Sequence, residues 1–216
     1  MRVLDLFSGT QSVGKALQPH DEYVSLDITD SLGEPMIKTD ILDWDYKNSG
    51  YPPGYFDVIW AGCPCTEFSK LRLCCQATCG PPDLVGAGKL VQRTLRIIRY
   101  FKPKHWIIEN PDSGSLKDQD YMKKLPYIRV SYCMFGFPYR KTTRLWGTIK
   151  GFGDRVCNRK CGMIVDGKHQ ANIGNARWIR RDQRNSYPQP LVRALMEFCR
   201  PIRRSGRFVC PVAVET

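Results

Sequence analysis

In the run Gly62-Cys63-Pro64-Cys65-Thr66-Glu67-Phe68-Ser69, a cysteine follows a proline directly after the apolar stretch Phe56-Asp57-Val58-Ile59-Trp60-Ala61. A buried strand would fix the position of Cys65 while the turn exposes its sulfur, which makes Cys65 a candidate nucleophile for covalent catalysis. A lone cysteine is more often a small core residue. The surrounding pattern therefore has to carry the assignment.

A second chemical constellation lies nearer the N-terminus. Asp5-Leu6-Phe7-Ser8-Gly9-Thr10-Gln11-Ser12-Val13-Gly14 follows the first apolar run and leads toward a helix at Lys15-Ala16-Leu17. Glycine there lets the backbone approach a ligand closely, and the spacing differs from the G-x-G-x-x-G of dinucleotide sites. Asp27, about twenty residues on, ends the second run where a carboxylate can take both hydroxyls of a ribose. Asp40 and Ile41 would supply an acceptor for an adenine amino group and an apolar face for its ring. An Asp after a strand is often only a cap, yet in this order the residues favour an adenosyl cofactor.

The elements that must position these residues follow from periodicity. Short apolar runs recur at 3–7, 23–28, 36–37, 56–61, 106–108 and 128–133, and between them lie helical patterns. The clearest spans 88–101, where Leu90, Val91, Leu95, Ile98 and Phe101 recur at three- and four-residue spacing. Alternating β/α order predicts an α/β fold with a mostly parallel sheet and helices on both faces, and in such sheets ligands collect outside the carboxyl ends of the strands. Residues 69–88, punctuated by Pro81-Pro82-Asp83 and Gly86-Ala87-Gly88, read as a mobile loop or lid over the site. A last helix is expected at 190–199 with Leu191, Leu195 and Phe198 inward.

At 216 residues one domain is expected. It divides into a catalytic and cofactor-binding core at 1–150, a basic insertion at 151–185, a C-terminal helix packed on the core at 186–200 and a basic tail at 201–216. Lys and Arg number 33 against 21 Asp and Glu, a formal charge of +12. That excess points to a polyanion, since phosphate neutralisation supplies most non-specific nucleic-acid affinity. The ten cysteines read as reduced thiols of an intracellular protein rather than a disulfide scaffold, which is usually small and core-poor. With no signal-peptide core and no membrane-length apolar run, a soluble protein is expected.

Taken in order, the motifs resemble the cytosine-C5 methyltransferase family, whose members move a methyl group from S-adenosylmethionine to cytosine in nucleic acid. Asp5-x-Phe7-Ser8-Gly9 resembles the family's cofactor loop and Pro64-Cys65-x-x-Phe68-Ser69 its nucleophile motif. Glu109-Asn110 resembles its glutamate motif, and Gly136-Phe137-Pro138 with Arg144-Leu145-Trp146 its arginine motif. A weaker echo lies in Tyr187-Pro188-x-Pro190-Leu191-Val192, and another in Asn172-Ile173-Gly174-Asn175-Ala176. The resemblance implies a Rossmann-like class I methyltransferase fold. It implies S-adenosylmethionine held by Asp5, Phe7, Ser8, Gly9, Asp27, Ile28, Asp40, Ile41 and Pro64, with Cys65, Glu109 and Arg144 as catalytic residues.

The chemistry of those residue types supports the implied reaction. Cytosine C5 is a poor nucleophile; a thiolate adding at C6 converts the ring into an enamine that can attack a methyl group. Glu109 would hold N3 and the exocyclic amine, and Arg144 would face O2 and favour the thiolate. The target atom is buried in a stacked duplex, so the cytosine must flip out or be presented unpaired. Arg140, Lys141, Arg177, Arg180, Arg181 and Arg184 are candidates to hold the backbone, and Arg203, Arg204 and Arg207 of the tail could touch phosphate. DNA is the expected substrate, with RNA as runner-up.

Three departures from the family pattern stand out. Thr142 occupies a place often held by a first arginine, Pro111 replaces a common valine, and no long target-recognition domain is present, which leaves little surface for major-groove reading. Within the irregular insertion, Cys157-x-x-x-Cys161 and His169 could order a small polar segment by binding zinc, with Cys133 completing a Cys3His set; Cys74, Cys75 and Cys79 are alternative fourth ligands. Two rival readings remain, an exocyclic-amine methyltransferase that needs no cysteine and a catalytically silent nucleic-acid-binding subunit.

Overall fold

A computed structural model describes residues 1–171 and 179–201 of the chain. The motif at 172–176, Arg177, and the tail residues Arg203, Arg204 and Arg207 lie outside the described residues. The elements run β1 (Arg2–Leu6), β2 (Glu22–Asp27), β3 (Ile37–Lys38), β4 (Val58–Ala61), α1 (Lys70–Cys74), α2 (Gln76–Cys79), α3 (Leu84–Phe101) and β5 (His105–Pro111). They continue with α4 (Asp120–Lys123), β6 (Tyr127–Ser131), β7 (Thr142–Gly147), β8 (Ile164–Val165), β9 (Lys168–His169), α5 (Arg181–Asn185) and α6 (Gln189–Cys199).

Seven strands form one sheet in the order β3-β2-β1-β4-β5-β7-β6. The pairs β3/β2, β2/β1, β1/β4 and β4/β5 are parallel, whereas β7 runs antiparallel to both β5 and β6. The near-continuous apolar runs are explained by burial on both faces. Strand alternation sends Leu4, Leu6, Ile59, Ala61 and Ile108 into a core against Val91, Ile97, Ile98 and Phe101 of α3. Val3, Val58, Trp60 and Ile107 face the other way, onto Leu191, Val192, Leu195 and Met196 of α6. This is the expected α/β architecture with helices on both faces.

Three local expectations are corrected. The helix expected at 15–17 is a single 3₁₀ turn, Gly14–Ala16, with Leu17 already extended; Pro19 pushes its predecessor out of helical space and bars continuation. Residues 69–88 are not one loop: they hold α1, α2 and the start of α3. Arg72 gathers this segment, donating to Glu67 at 3.1 Å and to the carbonyls of Cys79, Gly80 and Pro81 at 3.0, 2.7 and 3.0 Å. Asp83 then caps α3, accepting from the Gly86 N–H at 2.8 Å. In α6, Leu191 and Leu195 are buried as expected, but Phe198 is 40% exposed, its ring lying against His105 and Phe152 at the rim.

The insertion is joined to the sheet edge rather than standing apart. Arg155 bridges Val130 of β6, with Arg155 N–H donating to the Arg129 carbonyl at 2.8 Å and Ser131 N–H to the Arg155 carbonyl at 3.0 Å. No helix among the described residues is long and apolar enough to cross a membrane.

Candidate active site

The Cys65 turn is built at the carboxyl end of β4 by contacts from three directions. Gly62 N–H donates to the Leu6 carbonyl at 3.1 Å. The Asn110 amide donates to the Cys63 carbonyl at 3.0 Å and so ties the turn to β5. Phe68, fully buried, closes the turn through its N–H to the Cys65 carbonyl at 3.1 Å. Gly62 has no room for a side chain, because a Cβ there would stand 2.0 Å from the Tyr187 hydroxyl. Tyr187 packs on Trp60 with ring centroids 5.1 Å apart and is held by its N–H to Ser12 Oγ at 3.1 Å. The Tyr187-Pro188 echo near the C-terminus therefore supports the back of the Cys65 turn.

Cys65 is partly exposed, in contrast to Cys63, which is buried beside Thr94. Burial pushes the Cys63 thiol up to about 12. Burial also raises the Cys65 thiol above its ordinary range, the Glu109 carboxylate adds to that rise, and the Lys141 ammonium opposes it. Glu109 and Lys141 are thus the charged groups that act on Cys65.

Glu109, at the exit of β5, is 6% exposed. Its Oε1 accepts from the Tyr132 hydroxyl at 3.1 Å and from the Thr143 hydroxyl, and the Lys141 ammonium stands 3.9 Å away. No hydrogen-bond donor among the described residues reaches Oε2, which leaves that oxygen for a ligand. Lys141 lies 4.8 Å above the Tyr132 ring, so the cation is seated as well as near.

Arg144 is not brought to this group. In the β5/β7 register Leu145 stands opposite Glu109 and Arg144 opposite Asn110, so alternation turns Arg144 to the other face. There it pairs with Asp112 at 2.8 Å and stacks over the Tyr127 and Trp146 rings at 3.9 and 5.6 Å. Thr142 likewise faces away from Glu109, sharing a 2.9 Å hydrogen bond with Ser131. Sequence reasoning missed Tyr132 and Thr143, the tie from Asn110 to the Cys65 turn, and the role of Lys141. Each is brought in by pairing between segments distant in the chain, such as the register of β7 on β5 that sets Thr143 beside Glu109, which a single sequence does not display.

The cofactor end is formed where β1 and β2 stop. Phe7, Gly9 and Gln11 adopt left-handed φ of 60°, 45° and 55°, a strained loop of the kind that collects at ligand sites. Asp27 holds it, accepting from Gly9 N–H at 2.9 Å and Thr29 N–H at 3.0 Å; a carboxylate so engaged still has lone pairs for hydroxyl donors. Asp5 Oδ1 and Ser8 Oγ are buried and have no hydrogen-bond partner among the described residues. Burial pushes the Asp5 carboxyl up to about 7, against the Tyr23 hydroxyl that donates to it at 2.8 Å, and nearby Asp27 raises it further. Orphaned buried polar atoms facing a strained loop fit a polar ligand. Ile28, 64% exposed, offers an apolar face beside Asp27. Ile41 does not: at 2% exposure it belongs to the core. Asp40 caps its own turn, accepting from Leu42 N–H at 2.8 Å. Pro64 is exposed next to Cys65. A cavity of 260 Å³ adjoins the loop, with Thr10, Ser12 and Lys15 on one wall and Ser186, Tyr187 and Gln189 on the other.

A third cluster joins Cys133, Cys157, Cys161 and His169, whose ligand atoms all lie within 4.8 Å of one another. Cys74, Cys75 and Cys79 are exposed and take no part in it.

The strand order, the loop after β1 and the cysteine turn after β4 define a Rossmann-like methyltransferase. A solved structure described as a "putative DNA modification methyltransferase encoded within prophage" (E.coli) matches with a TM-score of 0.51 at 15% identity, over 68% of this chain and 46% of that one. The chain thus spans about half the length of that structure, and the likeness concerns the fold. The family model for C-5 cytosine-specific DNA methylase matches residues 30–137, half of the chain. A Frog virus 3 (isolate Goorha) protein named "Probable DNA (cytosine-5)-methyltransferase" is 41% identical over 173 residues, covering 74% of this chain and 76% of that protein. The chain belongs to the C-5 cytosine-specific DNA methylase family, and its class is that of the DNA (cytosine-5)-methyltransferases.

Proposed function

We propose that the protein methylates C5 of cytosine in DNA through a covalent Cys65 adduct, with S-adenosylmethionine as donor. The observation that carries this reading is the convergence of a partly exposed cysteine, a carboxylate with one free oxygen and a seated cation beside a strained loop holding orphaned polar groups. Asp5, Ser8, Gly9, Asp27 and Ile28 are the residues that fit the cofactor. When bound, it supplies a methyl group activated by a sulfonium centre.

The Cys65 thiolate forms a bond to cytosine C6, and the C5–C6 electron pair moves to C5. Glu109 Oε2 faces N3 and the exocyclic amine, its position held through Oε1 by Tyr132 and Thr143. C5 takes the methyl group, its proton then leaves to water or hydroxide, and the returning pair expels the Cys65 sulfur. The cytosine reaches the site flipped or unpaired. Arg140, Arg180 and Arg184, exposed along the insertion side, carry the phosphate contacts that hold the backbone.

Lys141, rather than Arg144, supplies the cation of this site, and Arg144 ties β7 to the exit of β5 through Asp112. Lys141→Met is expected to move the pH profile of Cys65 alkylation, followed by peptide mass spectrometry, to higher pH, because it removes the charge that opposes the upward shift of the thiol. Turnover should fall by about 10–100-fold. Arg144→Ala should leave the alkylation profile in place. Superimposable profiles for wild type and Lys141→Met would overturn the assignment.

Transfer of labelled methyl from S-adenosylmethionine to DNA and, separately, to RNA, followed by nucleoside analysis, tests the function. 5-Methylcytosine in DNA is expected. 5-Methylcytosine in RNA alone would move the substrate, and N-methylated product would replace the covalent chemistry. No transfer with nucleic-acid binding intact would leave a silent binding subunit.

A further inference from the structure

We infer that Cys133, Cys157, Cys161 and His169 form a structural zinc site that fastens the insertion to the sheet end carrying the supports of Glu109. The four ligand atoms come from three separate pieces of chain. Cys133 lies in the turn after β6, Cys157 and Cys161 flank a tight loop, and His169 is on β9. The β8–β9 hairpin closes through Asp166 and Gly167, both at left-handed φ (48° and 71°), the Asp-Gly turn that matches strand twist and fixes His169 in place.

The two sulfur–nitrogen spacings to His169 are close to those of a tetrahedral ion. With Zn–S near 2.3 Å and Zn–N near 2.0–2.1 Å, a tetrahedron sets sulfur and nitrogen about 3.6 Å apart. His169 Nε2 stands 3.5 Å from Cys157 Sγ and 3.4 Å from Cys161 Sγ. Arg159 N–H donates to Cys157 Sγ at 3.2 Å, a backbone contact that suits a thiolate ligand. Three thiolates and an imidazole with no open position select zinc in a structural role over the hard cations.

An independent observation is how little this segment buries beyond the Asp154 and Arg155 contacts that tie its start to β6. From residue 153 to 170 the one buried residue is Cys157. Eighteen residues with no apolar interior cannot offset their conformational entropy by burial, and a metal cross-link closes that deficit.

The site also adjoins the catalytic carboxylate. Cys133 follows Tyr132, whose hydroxyl donates to Glu109. Cys157 N–H donates to Ser131 Oγ at 3.1 Å, and Ser131 bonds Thr142, the neighbour of Thr143. Zinc would therefore hold the ends of β6 and β7 where Tyr132 and Thr143 position Glu109. This consequence for turnover rests on the proposed function; the metal content does not.

Elemental analysis of chain purified under reducing conditions should give one zinc per chain. Cys161→Ser should reduce it to a small fraction, while the Cys74→Ser/Cys75→Ser/Cys79→Ser variant should keep it. Because a ligand variant can fail to fold, zinc-stripped wild type is titrated with cobalt(II). Thiolate-to-cobalt charge-transfer absorption at one equivalent, reversed by zinc(II), is expected, together with zinc-dependent protection of residues 153–170 from limited proteolysis. Chain without zinc and without a cobalt spectrum would overturn the site. So would zinc lost from the triple variant but retained by Cys161→Ser, or a Cys157–Cys161 disulfide in the purified chain.

Discussion

Cys65→Ala is expected to abolish 5-methylcytosine formation, by at least about 10⁴-fold, since removing the nucleophile of a covalent mechanism leaves only binding and electrostatics. The fold should survive. Cys65 is partly exposed, and its turn is held by the Gly62 and Asn110 hydrogen bonds and by buried Phe68, none of which uses the sulfur. DNA and cofactor binding should therefore persist, measured by filter binding and calorimetry. DNA carrying 5-fluorocytosine sharpens the test, because fluorine at C5 cannot leave as a proton does. Wild type should form a complex that resists denaturation, and Cys65→Ala should not. Methylated cytosine that survives in the variant, especially on the exocyclic nitrogen, would remove the covalent mechanism.

The Glu109→Gln variant is expected to separate two quantities that usually move together. Glu109 raises the Cys65 thiol, after burial itself. Replacing the carboxylate by a neutral amide should let the thiol ionise at lower pH, so alkylation of Cys65 at a fixed pH below the thiol midpoint speeds up. Turnover should nevertheless fall by about 10²–10⁴-fold, the range for a lost acid–base or charge-stabilising group, because the amide nitrogen that takes the place of Oε2 can neither exchange a proton with N3 nor accept from the exocyclic amine. Gln can keep the acceptor bonds from Tyr132 and Thr143 through its amide oxygen, which makes the substitution close to isosteric. A variant with faster alkylation and undiminished methylation would show that Glu109 tunes the cysteine and does not touch the base. If alkylation slows instead, the electrostatic account of Cys65 is wrong.

Both experiments turn on residues that the chain announces locally. Cys65 and Glu109 stand at the ends of apolar runs buried on both faces of a parallel sheet, and such runs are continuous in sequence. The sheet, the helices at α3 and α6, and the loop after β1 with Asp5, Ser8, Gly9 and Asp27 were legible for the same reason: each depends on neighbours within a few residues. The Cys3His set was legible as residue types, with Cys133 distant in sequence but next to the turn that receives the insertion.

What lay beyond the sequence was decided by pairing between distant segments. Lys141 and Arg144 are three residues apart and equally basic, yet the antiparallel register of β7 on β5 puts Leu145 opposite Glu109 and carries Arg144 to the far face. Lys141 stands near one Glu109 oxygen with Tyr132 beneath it, which is why the proposed mechanism takes its cation from Lys141. Segment 69–88 reads as a loop from its prolines and glycines, but Arg72 draws three carbonyls of that segment together and α1 and α2 form around it. Ile41 reads as a ligand face and is sealed into the core by Trp44 and Phe101. Local chemistry determined which residues can react; strand register and side-chain packing, which join residues far apart in the chain, decided which of them meet.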